Sequence, residues 1–77
     1  MGQSDLPLAS GRRHVKVFES LGWVVRRDAS HIVMTRPGSE ATLSIPAHDE
    51  VARATLHSIL KSAGYTDKQY RTHFDAL

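Results

Sequence analysis

A chain of 77 residues has room for one domain with a small core and none for a large enclosed substrate pocket. It lacks cysteine, which excludes disulfide staples and thiolate metal sites, and no apolar run approaches the roughly 20 residues of a membrane span. The net charge of +2 is unevenly spread, with six basic residues against three acidic ones up to Arg36 and four against five beyond it. A half biased in this way suits a polyanion such as RNA, or forms an ordinary solvated surface.

Residues 1–9 have no periodicity and contain Pro7, so they are expected to form a flexible leader ahead of a single domain over 10–77. Without the basic start and apolar stretch of a signal peptide, the expected location is the cytoplasm, with no membrane partner. Ser10 is placed to cap a first helix to about Leu21, in which Val15, Val17, Phe18 and Leu21 form the apolar stripe. Gly22 ends it as a left-handed residue. Arg12 and Arg13 fall in the first turn, where the helix dipole is already positive, so they are either idle or serve a ligand.

Three strands follow, over about 23–27, 30–36 and 41–45, separated by tight turns at Asp28-Ala29 and Pro37-Gly38-Ser39. Pro46 lacks the N–H that a ladder needs and ends the third. Alternation sends Ile32, Met34, Leu43 and Ile45 to the core, and leaves His31, Val33 and Thr35 with Thr42 and Ser44 on the other face. A second helix over about 50–63 is expected to start at an Asp49 cap, bury Ala52, Leu56, Ile59, Leu60 and Ala63, and close at Gly64. Thr66 and Gln69 then form a capping box, Tyr65 staples against Tyr70, and Tyr70, Phe74 and Leu77 line a short terminal helix. This order predicts an α+β fold: a three-stranded antiparallel sheet with helices on one face and the other face open.

Imidazole is the group best suited to proton transfer at neutral pH, because its ordinary pKa is about 6.5. His31 opens the second strand on the open face, and His48 follows the third. No third ligand is placed near them by spacing, so a metal is not called for. His14, His57 and His73 fall within helices, where packing or surface roles are expected. Trp23, beside Gly22 at a helix-to-strand junction, is expected in the core rather than as a base-stacking platform.

Four segments in this order and spacing resemble the HicA (YcfA-like) family of small toxin ribonucleases: Leu21-Gly22-Trp23, Ala29-Ser30-His31, Ser44-Ile45-Pro46-Ala47-His48, and Ala54-Thr55-Leu56-His57-Ser58-Ile59-Leu60-Lys61-Ser62-Ala63-Gly64. The resemblance covers about residues 11–74. It implies a double-stranded-RNA-binding-like α-β-β-β-α fold with a short C-terminal helix, and messenger RNA cleavage in a toxin–antitoxin system. It also implies a HicB-like antitoxin partner and a catalytic His31. Where the family has a turn glycine this chain has Ala29, and where a glycine precedes Thr-Leu in the second helix it has Ala54. Alanine at a turn that needs positive φ costs roughly 1 kcal/mol, so a different turn type is expected at Ala29.

These readings combine into a metal-independent, cofactor-free endoribonuclease in which His31 acts as acid/base. RNA contacts are expected from Lys16, Arg26, Arg27, Ser30, Arg36 and His48, of which Arg26 and Arg27 are favoured for charge stabilisation because the first strand neighbours the second. The alternative is a small RNA-binding domain that does not cut.

Overall fold

The computed structural model describes residues 6–77. The elements run α1 (Gly11–Ser20), β1 (Val24–Asp28), β2 (His31–Thr35), β3 (Thr42–Pro46), α2 (Arg53–Ala63) and α3 (Asp67–Ala76). The strands form one antiparallel sheet in the order β1-β2-β3. The fold class is therefore the α+β arrangement expected, with three helices and three strands in the order α-β-β-β-α-α.

Strand alternation decides which face is covered. Ile32, Met34, Leu43 and Ile45 are essentially inaccessible and pack with Val17 and Phe18 of α1 and Leu56 and Leu60 of α2. On the opposite side His31, Thr42 and Ser44 are exposed, and Val33 and Thr35 are half-buried. Burial of so few side chains leaves little margin, and each core position matters.

Helix ends follow the local chemistry of the chain. The Ser10 side chain accepts from the Arg13 N–H and caps α1. At the other end Gly22 has φ +98°, the Trp23 N–H donates to the Phe18 carbonyl and the Gly22 N–H to that of Glu19. This paired closure brings the Trp23 indole edge-on to Phe18, and Trp23 is buried in the core. Gly64 closes α2 in the same way, and Thr66 and Gln69 complete the capping box of α3.

Four expectations need correction. α2 begins at Arg53 rather than near residue 50, and its cap position is Ala52, without a side-chain bond; Asp49 caps nothing. The cause is long-range: Val51 is fully buried and its N–H donates to the Ala9 carbonyl, so the chain stays extended until Val51 is seated. Ala52 is accordingly exposed, not part of the buried stripe. Of the segment 1–9, residues 1–5 lie outside the described residues, while residues 6–9 are docked rather than loose: Leu6 is buried, and its carbonyl accepts from Arg53 Nε. In α3, Tyr70 is buried and Phe74 half-buried, but Leu77 is exposed.

α1 starts hard against the end of β3. A Cβ on Gly11 would lie 2.0 Å from the Pro46 carbonyl oxygen, so only glycine fits there, and the Gly11 N–H donates to the His48 carbonyl. α3 is held to α1 by a buried hydrogen bond of 2.5 Å between His14 Nδ1 and the Tyr70 hydroxyl. The His14 ring also packs against Tyr70 and Phe74, at 5.7 and 5.9 Å between centroids. Burial, with the nearby Arg13 charge, lowers the His14 pKa to about 4, and burial raises that of Tyr70.

His14 thus stays neutral in the folded protein across the range in which it would protonate when unfolded. Below about pH 6.5 the unfolded chain binds a proton that the native state refuses. Stability is fully present above that pH and falls as the pH drops toward 4, by on the order of 3 kcal/mol. Thermal unfolding followed by circular dichroism at pH 7 and pH 4.5 should show this loss, and the dependence should be shallower in His14→Gln.

Candidate functional site

His31 is exposed at the first position of β2, and it lines an open depression of about 240 Å³ together with Arg27, Ala29, Ser30 and Val33. The depression lies on the sheet face that no helix covers. Its floor is built by register: Arg27 on β1 is opposite Val33 on β2, and directly opposed residues of an antiparallel pair project to the same side.

The register between β1 and β2 shifts between Val25 and Arg27. Val25 pairs with Met34 and Arg27 with Val33, which leaves Arg26 without a one-to-one partner. Such a bulge bends the strand and interrupts the alternation of faces. Without it Arg26 and Arg27 would point to opposite sides. With it, Arg27 enters the depression, and Arg26 Nε donates at 2.9 Å to the Thr35 hydroxyl, which belongs to the same open face. Asp28, one residue on, is opposite the buried Ile32 and is set towards the helical layer.

The turn that carries His31 is anchored from β3. His31 pairs with Pro46, and the Ala47 N–H donates to the Ser30 carbonyl at 3.0 Å. The β1 pairing ends at Asp28 with Ile32, so Ala29, Ser30 and His31 span the gap as three residues, one more than the narrowest turn. Among the described residues no non-glycine has a positive φ, so Ala29 sits in this turn without left-handed strain. His31 is opposite Pro46 rather than Thr42 or Ser44; those two are opposite Thr35 and Val33, further along the sheet.

The remaining sequence-predicted contacts are dispersed. Ser30 lines the depression. Arg36 lies five residues beyond His31, about 16 Å along at about 3.3 Å per residue, and its Nη1 donates to the Tyr65 hydroxyl, which also accepts from the Trp23 indole. Lys16 is exposed on α1, in the helical layer. His48 is exposed after β3, and neither it nor Lys16 nor Arg36 lines the depression. Of the other histidines, His57 is bound through Nδ1 to Asp67 at 2.9 Å, linking α2 to α3. His73 is exposed. Among the described residues no group of three or more His, Cys, Asp or Glu is arranged to hold a metal ion. No helix among them is long and apolar enough to cross a membrane.

One element of the site escapes sequence reading. The Arg12 guanidinium makes two hydrogen bonds of 2.9 Å to the two oxygens of Asp28, across from α1 to the end of β1. The Arg12 hydrogen bonds and charge hold the Asp28 carboxyl below the usual carboxylate range. Its only trace in the sequence is a cation at the wrong end of a helix.

A second open depression of similar size lies between β3 and α2, lined by Thr42, Leu43, Ser44, Ser58, Ile59 and Ser62. It contains no ionisable side chain and shares no residue with that of His31.

The family model described as HicA toxin of bacterial toxin-antitoxin matches residues 11–65, from the start of α1 to the residue after Gly64. A search of curated proteins finds no match. The matched stretch contains the whole sheet, α1, α2 and every residue of the His31 depression.

Because Ala29 adopts no positive φ, glycine should bring no benefit at this position. Ala29→Gly is expected to lower stability by about 0.5–1 kcal/mol through the greater freedom of the unfolded chain, measured by urea unfolding. A stabilised variant would mean that the turn is strained.

Proposed function

The chain belongs to the HicA toxin family of bacterial toxin–antitoxin systems, and from that premise we propose that it is a metal-independent endoribonuclease acting on messenger RNA through His31. The observation that carries this reading is the pairing of an exposed imidazole with Arg27 in one depression on an uncovered, basic-edged sheet face. Membership of the family also means a partner antitoxin; we assign it as HicB-like and place its contact over the same depression.

In the proposed reaction a ring nitrogen of His31 takes the proton of a ribose 2'-hydroxyl. The 2'-oxygen then attacks the adjacent phosphorus, the P–O5' bond breaks, and the products are a 2',3'-cyclic phosphate and a 5'-hydroxyl end. The leaving oxygen takes its proton from solvent, and His31 returns its own to solvent, so protons and charge balance. Arg27 lies where a guanidinium offsets the charge that builds on the non-bridging oxygens. Arg26, held by Thr35, and Ser30 at the turn position the flanking backbone. Arg36 serves a phosphate further along the strand, and His48 one beyond the turn. Lys16 belongs to the helical layer and stays outside this reading.

A second reading is favoured by one observation: the depression holds a single imidazole and no carboxylate, so no side chain there is a ready general acid. In that case the domain binds RNA without cutting it.

The two are separated by a gel assay on labelled single-stranded RNA in the presence of chelator. The parent should cleave and His31→Ala should be slower by at least about 100-fold with an unchanged thermal midpoint. Equal cleavage by both removes His31 from the chemistry, and RNA retention without cleavage selects the binding domain. Salt dependence tests the phosphate contacts: Arg26→Ala with Arg27→Ala should reduce the slope of log affinity against log salt by about 1 to 1.5, at about 0.7 per phosphate on single strands. An unchanged slope takes both arginines off the RNA.

A further inference from the structure

Arg12 stands in the first turn of α1, where the aligned peptide dipoles disfavour a cation. It is nevertheless held in a fixed place by a two-pronged bond to Asp28, with both side chains more than half exposed. Exposed ion pairs contribute little to stability in water, so fold stability does not account for a cation at this position. Its location is more informative. Asp28 is the sole acidic residue of the hairpin formed by β1 and β2, next in sequence to Arg27 and three residues before His31.

We propose that Arg12 neutralises the Asp28 carboxylate, which strand register already sets on the helical side, so that the depression of Arg27 and His31 presents undiminished positive charge to an RNA phosphate. The inference rests on the reading of that depression as the ribonuclease site. Without Arg12 the carboxylate keeps its full negative charge one residue from Arg27 and three from His31, where it offsets the attraction of Arg27 for phosphate and favours the imidazolium form of His31. Either effect opposes the proposed reaction: the first weakens phosphate binding, and the second leaves less neutral imidazole to act as base. Among the described residues the charged groups that contacts place beside the turn are Arg27 and Asp28 on the hairpin and Arg12 on α1; His48 follows Ala47, whose N–H donates to Ser30, and Arg26 is engaged with Thr35.

The test compares the full-length parent with Arg12→Gln, Asp28→Asn and the double variant. Two quantities are followed: the midpoint of the His31 imidazole titration by NMR, and the pH profile of kcat/KM for RNA cleavage. Arg12→Gln should raise the His31 midpoint by about 0.5, move the acidic limb of the profile upward with it, and weaken RNA binding about threefold at low salt. The double variant should return the midpoint and the limb to the parent's values, because removing the carboxylate removes the charge that Arg12 neutralises. A role confined to structure would leave the midpoint in place and make the double variant no better than Arg12→Gln, which overturns the proposal. If the midpoints move as stated but cleavage does not depend on His31, the Arg12 device stands and the ribonuclease reading falls. If cleavage depends on His31 while all four midpoints coincide, the device falls alone.

Discussion

One-sided burial of a small sheet is the constraint on which this protein depends. Strands of five residues offer only two or three inward positions each, and Ile32, Met34, Leu43 and Ile45 fill those of β2 and β3 against α1 and α2. With so little apolar surface to spare, no second layer can be assembled over the other face. That face therefore remains open, and strict alternation puts His31 on it by the same rule that buries Ile32. Exposure of the imidazole is a direct result of how the core is built.

Arrangement at the His31 end comes from three chain segments that converge there. Gly11 permits α1 to begin against the Pro46 carbonyl, the Ser30 carbonyl is tied to Ala47, and Arg12 reaches Asp28. A turn without glycine can hold a defined place because its neighbours fix it from outside, and Ala29 does not have to supply the geometry itself. The buried His14–Tyr70 bond plays the corresponding part at the far side, where α3 would be too short to persist alone.

What the sequence discloses and what it conceals divide along the range of the interactions. Ser10, Gly22, Gly64, Thr66 and Gln69 act on residues no more than a few positions away, and each performs the role that its type and spacing suggest. The start of α2 does not, because Ala9 and Val51 settle it across most of the chain. The docking of Leu6 is hidden for the same reason. At the site, the position of His31 on the open face follows from alternation, whereas the bulge does not: an extra residue in one strand leaves no mark in a pattern as short as Val24 to Asp28. The Arg12–Asp28 pair is likewise invisible until α1 and β1 are laid side by side.

That bulge has a bearing on solubility. β1 is an outer strand of the sheet, with backbone groups on one side that no neighbour satisfies, and such an edge is a template for another chain. Two adjacent arginines at a local kink are an effective guard against this, because a strand arriving from a second molecule meets both charge and a broken register. The two arginines proposed to meet RNA phosphates thus also guard this edge against the protein's own copies. A chain in which both are neutralised would present a bare edge strand to its own copies.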